Sequence, residues 1–111
     1  MNMLDRGVLQ LLPGDLQVQK KILKVFLSSS EEMVAMMEAG VENSDTTVVA
    51  HAAHTLKSSS AMVGAMELSR LCQKIEAVIN HDGLSGLAVV VQETRQVREM
   101  VERECLSIIN Q

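Results

Sequence analysis

Apolar residues recur three and four positions apart along almost the whole of this 111-residue chain. This spacing is typical of α-helices that bury one face. No segment alternates apolar and polar residues for long enough to predict a half-buried strand. Because 47% of the residues are apolar, a core can form without disulfides or metal. The sequence therefore predicts one all-α domain over residues 1–111.

Turn and capping residues divide the first half of the chain. A short helix is expected at Met3–Leu12, before the helix-stopping pair Pro13-Gly14. Asp15 is placed to cap a long second helix that ends near Gly40. The basic residues of this helix are interpreted as a solvated face; they are Lys20, Lys21 and Lys24.

The second half of the chain contains three more helical segments. The third helix begins after Asn43-Ser44-Asp45 and stops at Gly64. The fourth follows at once and ends at His81-Asp82-Gly83, and the fifth starts around Ser85. Four long amphipathic helices with short breaks predict an up-and-down antiparallel four-helix bundle, with the short N-terminal helix capping one end.

Charge and composition exclude several classes of function. A net charge of −4, with Phe26 as the only aromatic residue, argues against a nucleic-acid binder. No apolar run approaches the roughly 18 residues that cross a bilayer, so neither a membrane span nor export is expected. Cys72 and Cys105 are predicted to be reduced core thiols of a cytoplasmic protein. We expect a monomer, and Met1 with the short ends favours a free-standing protein over a domain cut from a larger one.

The third helix places two histidines away from its apolar face. At about 100° per residue, His54 points opposite the apolar side of the helix, which consists of Val49, Ala52, Leu56 and Val63. His51 lies one turn before His54, and Lys57 and Ser58 lie one turn after it. His54 is therefore predicted to face solvent.

An exposed histidine in this setting is suited to nucleophilic chemistry. Histidine titrates near pH 6.5, so at neutral pH the ring is mostly an uncharged nucleophile. Lys57, three residues on, is placed to hold a transferred phosphoryl group by its charge. The small residues Ala50, Ser58 and Ala61 keep the surroundings flat, so another protein can approach the imidazole closely.

A distinctive string of residues spans the third and fourth helices. It reads His54-Thr55-Leu56-Lys57-Ser58-Ser59-Ser60-Ala61-Met62-Val63-Gly64-Ala65 and continues with Leu68, Leu71, Cys72, Ile75 and Glu76. Over these roughly 23 residues the chain resembles histidine-containing phosphotransfer domains, the phosphocarriers of multistep two-component relays. Ser58 departs from the pattern, because the family usually has glycine there.

The resemblance implies a function for His54. In the family, the equivalent histidine accepts a phosphoryl group from a receiver aspartate or a sensor kinase and passes it to the receiver domain of a response regulator. It further implies a phosphocarrier without its own catalytic machinery, and not an enzyme. No cofactor is expected, since the partner receiver supplies Mg²⁺. The expected partners are receiver domains, a hybrid sensor histidine kinase, or both.

Other residues are predicted to support His54. Glu76 and Gln73 lie on one flank of the fourth helix. If that flank faces the third helix, Glu76 can accept a hydrogen bond from a ring N–H of His54 and set its tautomer. The alternative is a solvated glutamate paired with Lys57. The predicted docking surface for a partner consists of His51, Ala61, Met62 and Met66.

Two alternative functions remain open at this point. His51 and His54 are spaced i, i+3, as in metal-binding helical bundles, but both are expected to face outward and no Glu-x-x-His repeat accompanies them. A phosphate-independent adaptor that only binds a receiver is favoured by Ser58 alone, and the presence of His54 and Lys57 argues against it. The sequence identifies neither the cognate kinase and receiver, nor the direction of phosphate flow, nor the process that the relay controls.

Overall fold

Residues 2–111 of the chain are described by a computed structural model, and they form five helices. These are α1 (Arg6–Leu9), α2 (Leu16–Glu42), α3 (Thr46–Met62), α4 (Met66–Asp82) and α5 (Leu87–Ile109). Helix α3 packs between α2 and α4, and α5 packs against both α4 and α2, which closes a four-helix bundle. No strand occurs in the described part of the chain. The predicted all-α up-and-down bundle is confirmed.

The predicted capping residues begin helices α2 and α3. The side chain of Asp15 accepts a hydrogen bond from the backbone N–H of Val18 at 3.0 Å. Asp45 accepts one from Val48 at 3.2 Å. Each cap satisfies a backbone donor that has no partner within the first turn of a helix. Local sequence therefore sets where α2 and α3 begin.

The core is built from the apolar faces of the four long helices. Every helix contributes residues that are fully or almost fully buried, including Leu23, Val34 and Met37 of α2, Val49, Ala52 and Leu56 of α3, Leu68, Leu71 and Ile75 of α4, and Leu87, Val101 and Cys105 of α5. All of these follow the predicted helical spacing. The buried face of α3 consequently fixes which side of that helix faces solvent.

The N-terminal helix is shorter than the predicted Met3–Leu12. The backbone N–H groups of Met3 and Leu4 donate to the Glu104 carboxylate of α5, at 2.6 and 3.1 Å, instead of entering a helix. Leu12 is buried although it lies beyond α1. The whole segment therefore caps one end of the bundle, as expected, with only a single helical turn.

Two helix boundaries lie close to the predicted positions, near Gly40 and around Ser85. Helix α2 continues past Gly40 to Glu42. A Cβ at Gly40 would lie 2.6 Å from Cγ2 of Val49, so this glycine allows α3 to approach α2 closely. Helix α5 begins at Leu87, because residues 83–86 form turns.

Two basic side chains are buried, contrary to the usual behaviour of such residues. Lys20 was predicted to lie on a solvated face, but its ammonium group donates to the backbone carbonyl of Gln111 at 2.5 Å. Arg98 of α5 is buried against α2, where it donates to the Ser30 hydroxyl at 3.1 Å and to the Leu27 carbonyl at 2.8 Å. These contacts link segments distant in sequence.

Among residues 2–111, no helix combines the length and the apolar content that crossing a membrane requires.

Candidate functional site

His54 lies at the middle of α3 with its side chain 71% exposed, as the helical wheel predicts. Val49, Ala52 and Leu56 on the opposite face have no exposed surface. Because these core residues fix the rotation of α3, the imidazole is presented to solvent on a rigid helix and not on a loop. A partner molecule can therefore reach the ring directly.

Glu76 of α4 lies between His54 and Lys57 of α3. Its Oε2 is 3.7 Å from Nδ1 of His54, and its Oε1 is 2.8 Å from Nζ of Lys57. The first distance exceeds that of an N–H···O hydrogen bond, whereas the second is that of a close ion pair. Both predicted partners of Glu76 are thus present, and Lys57 is the nearer one.

The close approach of α3 and α4 explains how Glu76 reaches both partners. The hydroxyl of Ser69 donates to the backbone carbonyl of Lys57 at 2.9 Å, which ties the two helices together beside the site. The side chains of Lys57 and Glu76 are partly buried in this interface. Their ion pair is therefore less screened by water than a fully exposed pair would be.

The cysteines do not offer a second nucleophile. Burial, followed by the negative charge of Glu76, raises the pKa of Cys72 to about 12. Burial likewise raises the pKa of Cys105 to about 11, with Glu104 as the next cause. Both residues are free thiols in the core. Since the thiolate is the reactive form, neither cysteine is reactive at neutral pH.

Most of the other predicted site residues lie around His54 on α3 and α4. His51 and Ser58 are exposed, and Ala61 is half-buried. Gln73 is exposed, and its side chain makes no hydrogen bond with any other residue between 2 and 111. These positions leave the surface around the imidazole flat and accessible to a partner.

Met62 lies on an apolar groove that the sequence analysis did not predict. The groove runs between α2 and the end of α3, and its lining includes Val18, Ile22, Val25, Phe26, Met62 and Val63. Val25 is 69% exposed. The signal in the sequence was the pair of apolar residues Val18 and Val25, spaced seven apart beside the buried stripe of α2.

Met66 lies apart from this groove. It is the first residue of α4 and borders a cleft formed with the N-terminal segment, Gly64 and Glu67. Met62 and Met66 are both exposed, but the structure places them on two different clefts.

No group of three or more His, Cys, Asp or Glu side chains within residues 2–111 is arranged to hold a metal ion. His54 has one carboxylate neighbour, Glu76, but the two belong to no such group.

Two of three comparisons with known proteins gave a match. The family model described as the Hpt domain matches residues 21–104, a segment that includes α3 and α4. The chain is also similar to the crystal structure of histidine-containing phosphotransfer protein B (HptB) from Pseudomonas aeruginosa PAO1, with a TM-score of 0.88 and 22% sequence identity. That similarity covers 97% of this chain and 95% of the other. A search of curated proteins gave no match.

Proposed function

This chain belongs to the Hpt domain family, and on that premise we propose that it is a phosphorelay intermediate whose phosphoryl group is carried by His54. The observation that carries the proposal is the exposed imidazole of His54 on a rigid helix, beside Lys57 and Glu76. Hpt domains are phosphocarrier modules of phosphorelays. His54 is the histidine at which the motif of this chain aligns with the family signature.

The proposed transfer needs only a ring nitrogen from this chain. The electron pair of the unprotonated nitrogen forms a P–N bond as the P–O bond to a receiver aspartate breaks, and the aspartate carboxylate keeps the electron pair of that bond. The reverse step passes the group to the next receiver. The partner's acidic pocket and its Mg²⁺ neutralise the charge of the transferring group. The chain therefore acts as a phosphocarrier and not as an enzyme.

Glu76 and Lys57 are proposed to prepare His54 for this reaction. A carboxylate facing Nδ1 favours the tautomer in which Nδ1 carries the proton and Nε2 is free to attack. Lys57 supplies positive charge within one helical turn of the imidazole, where the phosphoryl group arrives. Gln73 is proposed to act as a polar neighbour of the phosphoryl group from α4.

The partner is proposed to be a receiver domain of a response regulator or of a hybrid sensor kinase. To bring its aspartate to Nε2, the partner must cover Ser58 and Ala61, whose small side chains allow a close approach. His51 flanks this contact. The apolar groove beside Met62 continues the surface toward α2 and offers the apolar area that a protein contact needs. Met66 would contact a partner only at the rim, because it lies at the other cleft.

The experiment that tests the function is phosphoryl transfer from a panel of phosphorylated receiver domains. We expect an acid-labile label on the chain from at least one donor. His54→Gln should abolish the label without loss of helicity by circular dichroism, whereas His51→Gln should label like the parent. Specific receiver binding without label would favour the phosphate-independent adaptor. Label lost only in His51→Gln would overturn the assignment of His54.

A further inference from the structure

The carboxylate of Glu76 has two possible partners and contacts only one of them closely. Oε1 is 2.8 Å from Nζ of Lys57, whereas Oε2 remains 3.7 Å from Nδ1 of His54. Hydrogen bonds from N–H to oxygen are about 2.7–3.2 Å long, so the approach to the ring is incomplete. A small movement of the carboxylate toward the ring would complete that bond.

Lys57 is the contact that opposes this movement. Among residues 2–111, it is the only group other than His54 that forms an ion pair with Glu76, and Glu76 is the only ion-pair partner of Lys57. Oε1 is buried and accepts no hydrogen bond from any residue between 2 and 111, so the contact with Lys57 is an attraction between charges. The distance between the Glu76 carboxylate and the His54 ring therefore depends on the position of the Lys57 ammonium group.

We propose that Lys57 and His54 compete for Glu76, so that Lys57 controls how firmly Glu76 holds the ring proton on Nδ1. The consequence for transfer rests on the proposed function of His54. A phosphoryl group on Nε2 carries negative charge within reach of Lys57 and draws the ammonium group away from Glu76. The released carboxylate then accepts a hydrogen bond from the N–H at Nδ1.

This exchange affects the step in which the phosphoryl group leaves. A ring with the phosphoryl group on Nε2 and a proton on Nδ1 is cationic, and an adjacent carboxylate stabilises that form. As an aspartate oxygen of the receiver forms a P–O bond with its own electron pair, the P–N bond breaks, its electron pair returns to Nε2, and the ring departs as neutral imidazole with its proton still on Nδ1. Without that proton the leaving group would be an imidazolate anion, which is a far poorer leaving group. Glu76 is thus a positioning residue that acts through His54.

The competition is measurable in the protein that carries no phosphoryl group. Nitrogen-15 chemical shifts of the His54 ring, recorded at a pH where the ring is neutral, report which nitrogen carries the proton. Lys57→Met should raise the ratio of the Nδ1–H tautomer to the Nε2–H tautomer by about threefold, because Glu76 then closes on the ring. Glu76→Gln should lower that ratio. The matched control is Lys24→Met on α2, which removes an exposed lysine far from the ion pair and should leave the ratio unchanged.

The double variant decides between competition and a direct effect of the lysine charge. In a Glu76→Gln background, Lys57→Met should no longer change the tautomer ratio. An equal change in both backgrounds, or no change in either, would overturn the proposal. Lys57→Gln, which keeps a polar side chain, should shift the ratio in the same direction as Lys57→Met, and circular dichroism checks that each variant is folded.

These results are separable from the proposed function. If the tautomer ratio responds as expected but no receiver transfers a phosphoryl group to the parent protein, the competition stands and the relay function fails. If the parent is labelled on His54 but the tautomer ratio does not change in Lys57→Met, the relay function stands and the competition is refuted.

Discussion

The backbone N–H of Asp5 donates a hydrogen bond to the carbonyl of Gly64, with a nitrogen-to-oxygen distance of 2.8 Å. Gly64 has a left-handed backbone with φ of +84°, and a Cβ at this position would lie 2.7 Å from the carbonyl oxygen of Asp5. The N-terminal segment therefore occupies the space that a side chain would fill. This contact ties the segment to the end of the helix that carries His54.

Gly64→Ala is expected to destabilise the protein by about 2 kcal/mol or more. A left-handed alanine costs roughly 1–2 kcal/mol, and the displacement of Asp5 adds to that cost. Urea unfolding measures the change. Gly86→Ala is the matched control, since Gly86 is also left-handed, with φ of +76°, but a Cβ there would meet nothing within 4 Å. Equal losses in the two variants would show that the contact with Asp5 contributes no stability.

Arg98→Met is expected to lower the free energy of unfolding by about 2 kcal/mol. The guanidinium group joins α5 to α2 through Ser30 and Leu27, and methionine keeps the apolar stem but removes these bonds. The measurement is again denaturant unfolding. Arg103→Met serves as the control, because Arg103 lies on the exposed face of the same helix and should change stability by no more than about 0.5 kcal/mol.

Stability should fall in acid partly through Glu31. The hydrogen bond from Arg95 holds the pKa of Glu31 below its usual range, helped by the charges of Arg95 and Arg98. A carboxyl with a lower pKa in the folded state stabilises the fold above its unfolded pKa, about 4.3, and loses that contribution as the pH falls through the folded value.

Glu31→Gln should therefore reduce stability at neutral pH and make the loss below about pH 4.3 shallower. The side chain is half exposed, so the change should stay within the 0–1 kcal/mol that is typical of surface pairs. Thermal unfolding across pH measures it. Glu32→Gln removes a neighbouring carboxylate that has no ion pair within residues 2–111 and should not alter the slope.

Ser58 tests how closely the partner approaches His54. Ser58→Gly should retain transfer at a cost of about 0.5–1 kcal/mol in helix stability, the usual penalty of glycine inside a helix. Ser58→Gln should slow transfer severely with little loss of fold, because Ser58 is exposed one turn from His54 and a long side chain obstructs the receiver. Transfer by Ser58→Gln at the parental rate would place the receiver on another side of α3.

Val25 tests whether the apolar groove contributes to docking. Val25→Asn should raise the concentration of receiver needed for half-maximal transfer by about tenfold, which corresponds to about 1.4 kcal/mol of contact energy. Val89→Asn is the control, since Val89 of α5 is similarly exposed, at 62% against 69%, but lies outside the groove. Similar effects of both variants would argue against a specific role for the groove.

The sequence alone determined the four long helices, the caps of α2 and α3 and the outward direction of His54. Each of these features depends on short-range physics: apolar spacing selects the buried face, and Asp15 and Asp45 satisfy donors within their own first turn. The rotation of α3 follows from residues on that helix alone. The motif around His54 could also be identified from the sequence, because its members lie on one face at fixed helical spacing.

Only the tertiary structure decided how side chains from different helices meet. Glu76 was predicted to reach either His54 or Lys57, and its actual distances of 3.7 and 2.8 Å depend on the separation of α3 and α4. The burial of Lys20 and Arg98 likewise depends on partners 91 and 68–71 residues away. Helical periodicity specifies a direction around one axis, but it carries no information about the distance between two axes or the register of neighbouring helices.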